Sequence, residues 1–185
     1  MSATDAAHAR WVEDALRLHE AGLLAYATRL VGDADAARDV VQEGFLRLCA
    51  QRASDLEGRL APWLYRVCRN LAMDVRRRGR IVPTTSTEIV EGRASPTVAA
   101  HAAAEGREAA AAAMAALARL PEAQQEVLCL RLRHGLAYRD IAEVTGLSVS
   151  HVGVLIHEGM KALRRRLGAV APAAVAASAA IGGGR

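Results

Sequence analysis

Between Arg59 and Arg80 the sequence places seven arginines and a single acid, Asp74. Arg66, Asn70, Met73 and Arg77 follow one another at offsets of four, seven and eleven, which stacks them along one side of a helix, with Arg69 and Arg76 flanking the row. Guanidinium groups in such a row suit phosphate oxygens, and an amide-bearing Asn among them suits the edge of a base. The helix dipole alone accounts for cations at the end of the helix, from Arg76 to Arg80, but not for basic residues along the whole face. A second cluster, Lys161, Arg164, Arg165 and Arg166, offers the same phosphate chemistry further on. Ser150, His151, Gly153, Val154, His157 and Lys161 lie where a helix could face a major groove. Two readings of His151 and His157 stay open there: donors to base edges, or solvated neutral imidazoles.

The elements that must position these residues are helical. Glu13 to Val31 has Leu16, Leu23, Ala27 and Leu30 on one side and is closed by Gly32. Asp33 caps the next helix, Ala34 to about Ala50, whose apolar residues are Ala37, Val40, Val41, Phe45 and Leu48 and whose opposite face carries Asp39, Gln42 and Glu43. After a loop, Pro62 sits in the first turn of a third helix with a core stripe of Leu64, Val67, Cys68, Leu71, Ala72 and Val75, leaving the arginines on the other side. Met114 to Leu120 ends at Pro121, and Glu122 to Arg133 repeats a stripe through Val127, Leu128 and Leu132 until Gly135 stops it. A short helix, Arg139 to Thr145, then meets a turn and a longer helix, Val149 to Arg166. That spacing predicts a helix-turn-helix, with Ile141 plugging the core, Ala142 allowing close approach, Gly146 in the left-handed turn conformation and Ser148 capping. Val152, Ile156, Gly159 and Leu163 hold the longer helix down. A small-residue turn in an ordinary helical bundle is the competing reading, and the basic residues that follow favour the helix-turn-helix.

Composition sets the frame around these elements. The 185 residues include 24 Lys+Arg and 20 Asp+Glu, a formal net charge of +4, and Lys161 is the only lysine, so the positive charge is almost all guanidinium. Aromatic residues make up 3%, which argues against a sandwich or barrel and for an all-α fold of two small helical domains joined by a flexible linker. The expected bounds are 8–80 and 108–168, with a linker over 81–107 containing Pro83 and Pro96, and an Ala/Gly-rich tail over 169–185. Cys49, Cys68 and Cys129 form no CxxC pair and are expected to be small buried thiols, with no disulfide framework or metal site. No stretch approaches the ~20 apolar residues of a bilayer span, and MSATDAAHAR lacks the basic start and apolar core of a signal peptide, so the expected location is the cytoplasm, with no membrane insertion. With no phosphate-binding glycine loop, no metal-spaced cluster and no nucleophile beside a base, the sequence points to no enzyme and no cofactor.

Three segments, GDADAARDVVQEGFLRL (Gly32 to Leu48), PWLYRVCRNLAMDVRRR (Pro62 to Arg78) and LARLPEAQQEVLCLRLRHGLAYRDIAEVTGLSVSHV (Leu117 to Val152), together resemble bacterial RNA polymerase sigma factors of the extracytoplasmic-function class. The resemblance implies a non-enzymatic factor that binds core RNA polymerase and directs it to promoter DNA, and an anti-sigma factor is a further partner it suggests. Asp39, Gln42 and Glu43 match the family's polymerase-docking helix. The loop from Gln51 to Ala61, with Arg66 and Asn70, matches the part that opens the minus-ten element and captures an extruded base, with Arg69, Arg76 and Arg77 placed to hold the displaced strand. Trp63 and Tyr65 are open to two readings, stacking on bases or packing inside. Ser150, His151, Val154, His157, Lys161, Arg164 and Arg165 would meet the minus-thirty-five element. Many members carry Lys or Arg where this chain has Gly153, Leu155 and Glu158, and Thr where it has His151, so minus-thirty-five contact is expected to be altered or weakened. Glycines at 153 and 159 each cost about 1 kcal/mol relative to Ala within a helix, and the apolar pair Val154 and Leu155 offers a protein-binding alternative. The contrasting function is a stand-alone helix-turn-helix regulator that does not dock on polymerase.

Overall fold

The computed structural model describes residues 3–79 and 112–181, with side chains placed over 5–79 and 112–168. The expected linker and Arg80 lie outside the described residues. Every regular element among those described is helical: α1 Ala3–Val31, α2 Ala34–Cys49, a single 3-10 turn at Ala53–Leu56, α3 Leu60–Gly79, α4 at residues 112–118, α5 Glu122–Leu132, α6 Tyr138–Thr145 and α7 Val149–Ile181.

Helix α1 starts before the expected Glu13, because the Ala-rich residues ahead of it have high helix propensity and His8 ties them down. Its Nε2 lies 3.0 Å from the Cys49 carbonyl at the end of α2, and its ring packs 5.5 Å from Trp11. Gly32 takes φ +75 and its N–H donates to the Thr28 carbonyl at 2.8 Å, closing α1 in the left-handed conformation that only glycine adopts without strain. Asp33 then accepts from the Ala36 N–H at 2.7 Å and starts α2.

α1, α2 and α3 pack mutually, burying Leu23, Ala27 and Leu30 from the first, Ala37, Val40, Val41, Phe45 and Leu48 from the second, and Leu64, Cys68 and Ala72 from the third. Val67, Leu71 and Val75 are half-buried at the margin. Leu16, expected in the stripe, is 39% exposed; Ala15 takes the buried position there, since a 3.6-residue period drifts off a strict seven-residue spacing. Gly44 is buried where an added Cβ would lie 3.0 Å from the Cys68 sulfur, so α2 and α3 approach closely at that point. Burial raises the Cys68 thiol to about 12. Cys49, expected to be buried, is exposed at the end of α2, and Cys129 is half-buried.

In the second half α7 packs on α5 and α6. Val127, Leu128, Leu130, Ile141, Val144, Val152, Ile156 and Leu163 form the interior. Leu132 is 61% exposed instead of buried, because α5 ends there and Leu136, beyond the turn at Gly135 (φ +68), fills the core in its place. Gly159 is buried for a packing reason: an added Cβ would come within 2.7 Å of Leu128 Cδ1. The helix-propensity cost of this glycine therefore secures close contact of α5 with α7. α7 also continues past the expected end at Arg166 to Ile181. The described helices include none long and apolar enough to cross a membrane.

The two halves touch. α3 packs against α6, and the buried residues of both halves belong to one hydrophobic cluster.

Candidate nucleic-acid interface

The helix-turn-helix has the geometry its residues dictate. Asp140 accepts from the Ala137 N–H at 3.3 Å at the start of α6, and Gly146, at φ +75, ends it with its N–H on the Ala142 carbonyl at 2.9 Å. The Ser148 hydroxyl then accepts from the His151 N–H at 3.2 Å, capping α7. With Val152 and Ile156 turned inward, Ser150, His151, Val154, His157, Lys161, Arg164 and Arg165 are all exposed. An open groove lined by Tyr138, Ile156, His157, Met160, Lys161 and Arg164 runs beside them. Arg131 holds Tyr138 at the groove edge, its guanidinium 5.5 Å from the ring centre and donating to the Leu136 carbonyl at 3.0 Å. Glu158 is exposed on the same helix, whereas Leu155 is half-buried against the core, so Val154 does not form an apolar patch with it.

On α2, Asp39 and Gln42 are exposed and Glu43 is half-buried, paired with Arg47 at 2.9 Å. Leu46, which the sequence reading passed over as one more apolar residue of an amphipathic helix, is 60% exposed. It stands seven positions after Asp39 and three after Glu43, on the same face.

The arginine face of α3 is the least expected part. Asn70, Arg77 and Arg78 are exposed, and Arg77 pairs with Asp74 of its own helix. Arg66, Arg69 and Arg76 instead meet acids of the second half. Arg66 and Arg59 both donate to Glu143 of α6, at 3.0 and 3.1 Å; Arg69 donates to both oxygens of Glu126 of α5, at 2.9 and 3.3 Å; Arg76 donates to Glu122 at 2.5 Å. Glu126 is only 8% exposed and takes a third hydrogen bond from the Tyr26 hydroxyl at 2.7 Å. A buried carboxylate with three donors has its desolvation offset. Burial works against the Arg69 cation, but its hydrogen bond and charge pairing with Glu126 outweigh that and raise its pKa; burial, then the Glu126 charge, raises that of Tyr26.

Tyr65 is buried, edge-on to Tyr26 at 5.3 Å between ring centres, and its hydroxyl lies 2.7 Å from His134 Nδ1. It is a packing residue in this arrangement and not free to stack on a base. Trp63 also packs on the core, partly buried. Sequence reasoning missed Glu122, Glu126, Glu143 and His134. The available signal was Glu126 itself, a charge lying among Val127, Leu128 and Leu130 on a helix otherwise turned inward.

Residues 16–81 match the family model for sigma-70 region 2, and residues 110–163 the model for sigma-70, region 4. Two helical units carrying these two regions define a sigma factor. The chain is 35% identical over 133 residues to the ECF RNA polymerase sigma factor EcfG of Rhodopseudomonas palustris, covering 70% of each. It is 33% identical over 156 residues to SigL of Mycobacterium tuberculosis, covering 80% of this chain and 84% of the relative. With SigE of Mycolicibacterium smegmatis it shares 31% identity over 157 residues, a match that spans 60% of that longer relative. A solved structure of CnrH in complex with the cytosolic domain of CnrY has the same fold, with a TM-score of 0.50 at 24% identity over 89% of both chains. This chain belongs to the ECF class of RNA polymerase sigma factors.

Proposed function

We propose that the chain divides promoter recognition between its two halves, over about 8–80 and 108–168, with core polymerase held by α2. As a sigma factor it acts with RNA polymerase in transcription initiation, and the stand-alone regulator is disfavoured. The observation that carries the division of labour is that Asp39, Gln42 and Leu46 are exposed together on one face of α2, while Asn70 on α3 and the His151 to Arg165 face of α7 are exposed on separate elements. Asp39, Gln42 and Glu43 supply acidic and amide groups for a basic surface of polymerase, and Leu46 adds an apolar anchor at the C-terminal end of that row. Asn70 reads an extruded minus-ten base while the α3 arginines hold the displaced strand. Ser150, His151, Val154 and His157 meet the minus-thirty-five duplex, and Lys161, Arg164 and Arg165 neutralise its phosphates.

The factor works in the cytoplasm, without a cofactor and without chemistry of its own. An anti-sigma protein is a further partner, and the exposed faces of α2 and α7 are the surfaces open to it. The experiment is capture of purified core RNA polymerase by the full chain, followed by run-off transcription from a genomic promoter library. Binding with new start sites is the expected result, and Asp39→Arg combined with Leu46→Asp abolishes capture while the isolated fold stays helical. DNA binding retained without polymerase capture would return the chain to the stand-alone regulators.

A further inference from the structure

Three carboxylates of the second half lie against arginines of α3 and against Arg59 just before it. Glu122 meets Arg76, Glu126 meets Arg69, and Glu143 meets Arg66 and Arg59, so the order along α3 runs opposite to the order along the second half. Glu122 and Glu126 are one helical turn apart on α5, whereas Arg76 and Arg69 are two turns apart on α3, so the two long guanidinium side chains converge to reach them. Carboxylate and phosphate present the same pair of acceptor oxygens to a guanidinium, and the Arg69–Glu126 pair uses both.

We propose that Glu122, Glu126 and Glu143 imitate a nucleic-acid strand, so that in the free factor the second half occupies the strand-holding arginines of the first. The proposal rests on the reading of the α3 arginines as the face that holds single-stranded promoter DNA. In this closed arrangement Arg66, Arg69 and Arg76 are engaged, and DNA must displace the acids to reach them. Asn70 and Arg78 stay exposed beside the covered row, which gives an incoming strand a foothold before displacement. The α7 face stays exposed in the same state, so the contact gates one DNA site and leaves the other available. The acids are held in place by more than charge: the Tyr26 hydroxyl bonds Glu126, and Tyr65 bonds His134, so the contact is built from neutral groups as well.

The test places one dye on the exposed Cys49 and a second on Leu132→Cys in the full chain, and reads energy transfer together with the affinity for fluorescent oligothymidine. The part-exposed pairs of Glu122 and Glu143 each shift an equilibrium by roughly twofold to fivefold, and the buried Glu126 pair by more. Glu126→Gln with Glu143→Gln is expected to lower transfer and to tighten oligothymidine binding by roughly tenfold. Should that variant fail to fold, Glu122→Arg opens the chain from a more exposed position, and adding Arg76→Glu restores transfer by reversing the pair. Low transfer in the unaltered chain would overturn the proposal, as would variants that open without any gain in oligothymidine affinity. Capture of core polymerase by the same proteins separates the two levels: retained capture with no closed state removes only the masking, whereas lost capture in the unaltered chain removes the sigma reading beneath it.

Discussion

Arg69 of α3 grips both carboxylate oxygens of Glu126 of α5, at 2.9 and 3.3 Å, and the Tyr26 hydroxyl of α1 closes on the same carboxylate at 2.7 Å. Three elements thus converge on one buried acid. Removing it leaves a part-buried guanidinium and a buried phenol without their acceptor. Glu126→Ala is expected to destabilise the chain by about 3 kcal/mol, read as a lower urea midpoint, and Glu126→Gln by less because its amide oxygen still accepts. Equal midpoints for Glu126→Ala and the unaltered chain would mean that Arg69 finds water or another acid instead.

His134 gives the contact a pH dependence. Its Nδ1 lies 2.7 Å from the Tyr65 hydroxyl, its Nε2 faces the Cys129 sulfur at 3.7 Å, and the Tyr26 ring stands edge-on at 6.1 Å. Burial first, then the charges of Arg133 and Arg29, lowers its pKa from 6.5 to about 4. Between those two values the unfolded chain binds more protons than the folded one, so stability is complete above pH 6.5 and falls as pH is lowered toward 4. The melting temperature should drop through that window, and His134→Gln should flatten the drop. An unchanged slope would assign the acid response to the paired carboxylates.

Asn70 is exposed and contributes little to folding, so Asn70→Ala should leave the melting temperature within about 0.5 kcal/mol equivalent of the unaltered chain. The expected loss is in promoter opening, followed by permanganate reactivity of the melted strand, and it exceeds the loss in polymerase binding. Equal losses would make Asn70 a structural residue.

Arg164 and Arg165 are both exposed at the far end of the α7 face. Replacing the two with Ala should lower duplex affinity and reduce the slope of log affinity against log salt by about 2. A slope that stays the same would take these arginines off the DNA face.

Gly159→Ala tests the α5–α7 contact. Alanine gains about 1 kcal/mol of helix propensity, but its methyl meets Leu128 Cδ1 at 2.7 Å and Cγ at 3.3 Å inside a fully buried environment. Overpacking of this kind costs about 1–3 kcal/mol, so the net effect is a lower melting temperature, partly recovered by adding Leu128→Val. A higher melting temperature would show that Leu128 turns aside freely.

The helices were legible because each announces itself locally. Asp33, Gly32, Gly135, Gly146 and Ser148 all occupy the caps and turns their chemistry suggests, and the α2 stripe from Ala37 to Leu48 is buried throughout. What could not be read was contact between residues far apart in the chain. Nothing near Arg66 in sequence shows that Glu143 will neutralise it, and Tyr65 reads equally well as a stacking ring or as a partner for His134. Gly22 carries the same kind of hidden message: an added Cβ would meet the Tyr65 hydroxyl at 2.7 Å, so this glycine on α1 makes room for a pair formed by α3 and the turn after α5. Leu16 and Leu132 lie off the buried stripe for simpler reasons, the drift of a 3.6-residue period from a strict seven-residue spacing and the end of α5.

The seat of Leu128 against Gly159 ties α5 to α7 as teeth mesh in a gear. Glu126 stands two residues before Leu128, and His157 two before Gly159. The α7 face proposed to meet duplex DNA therefore cannot turn without carrying the acid that Arg69 holds.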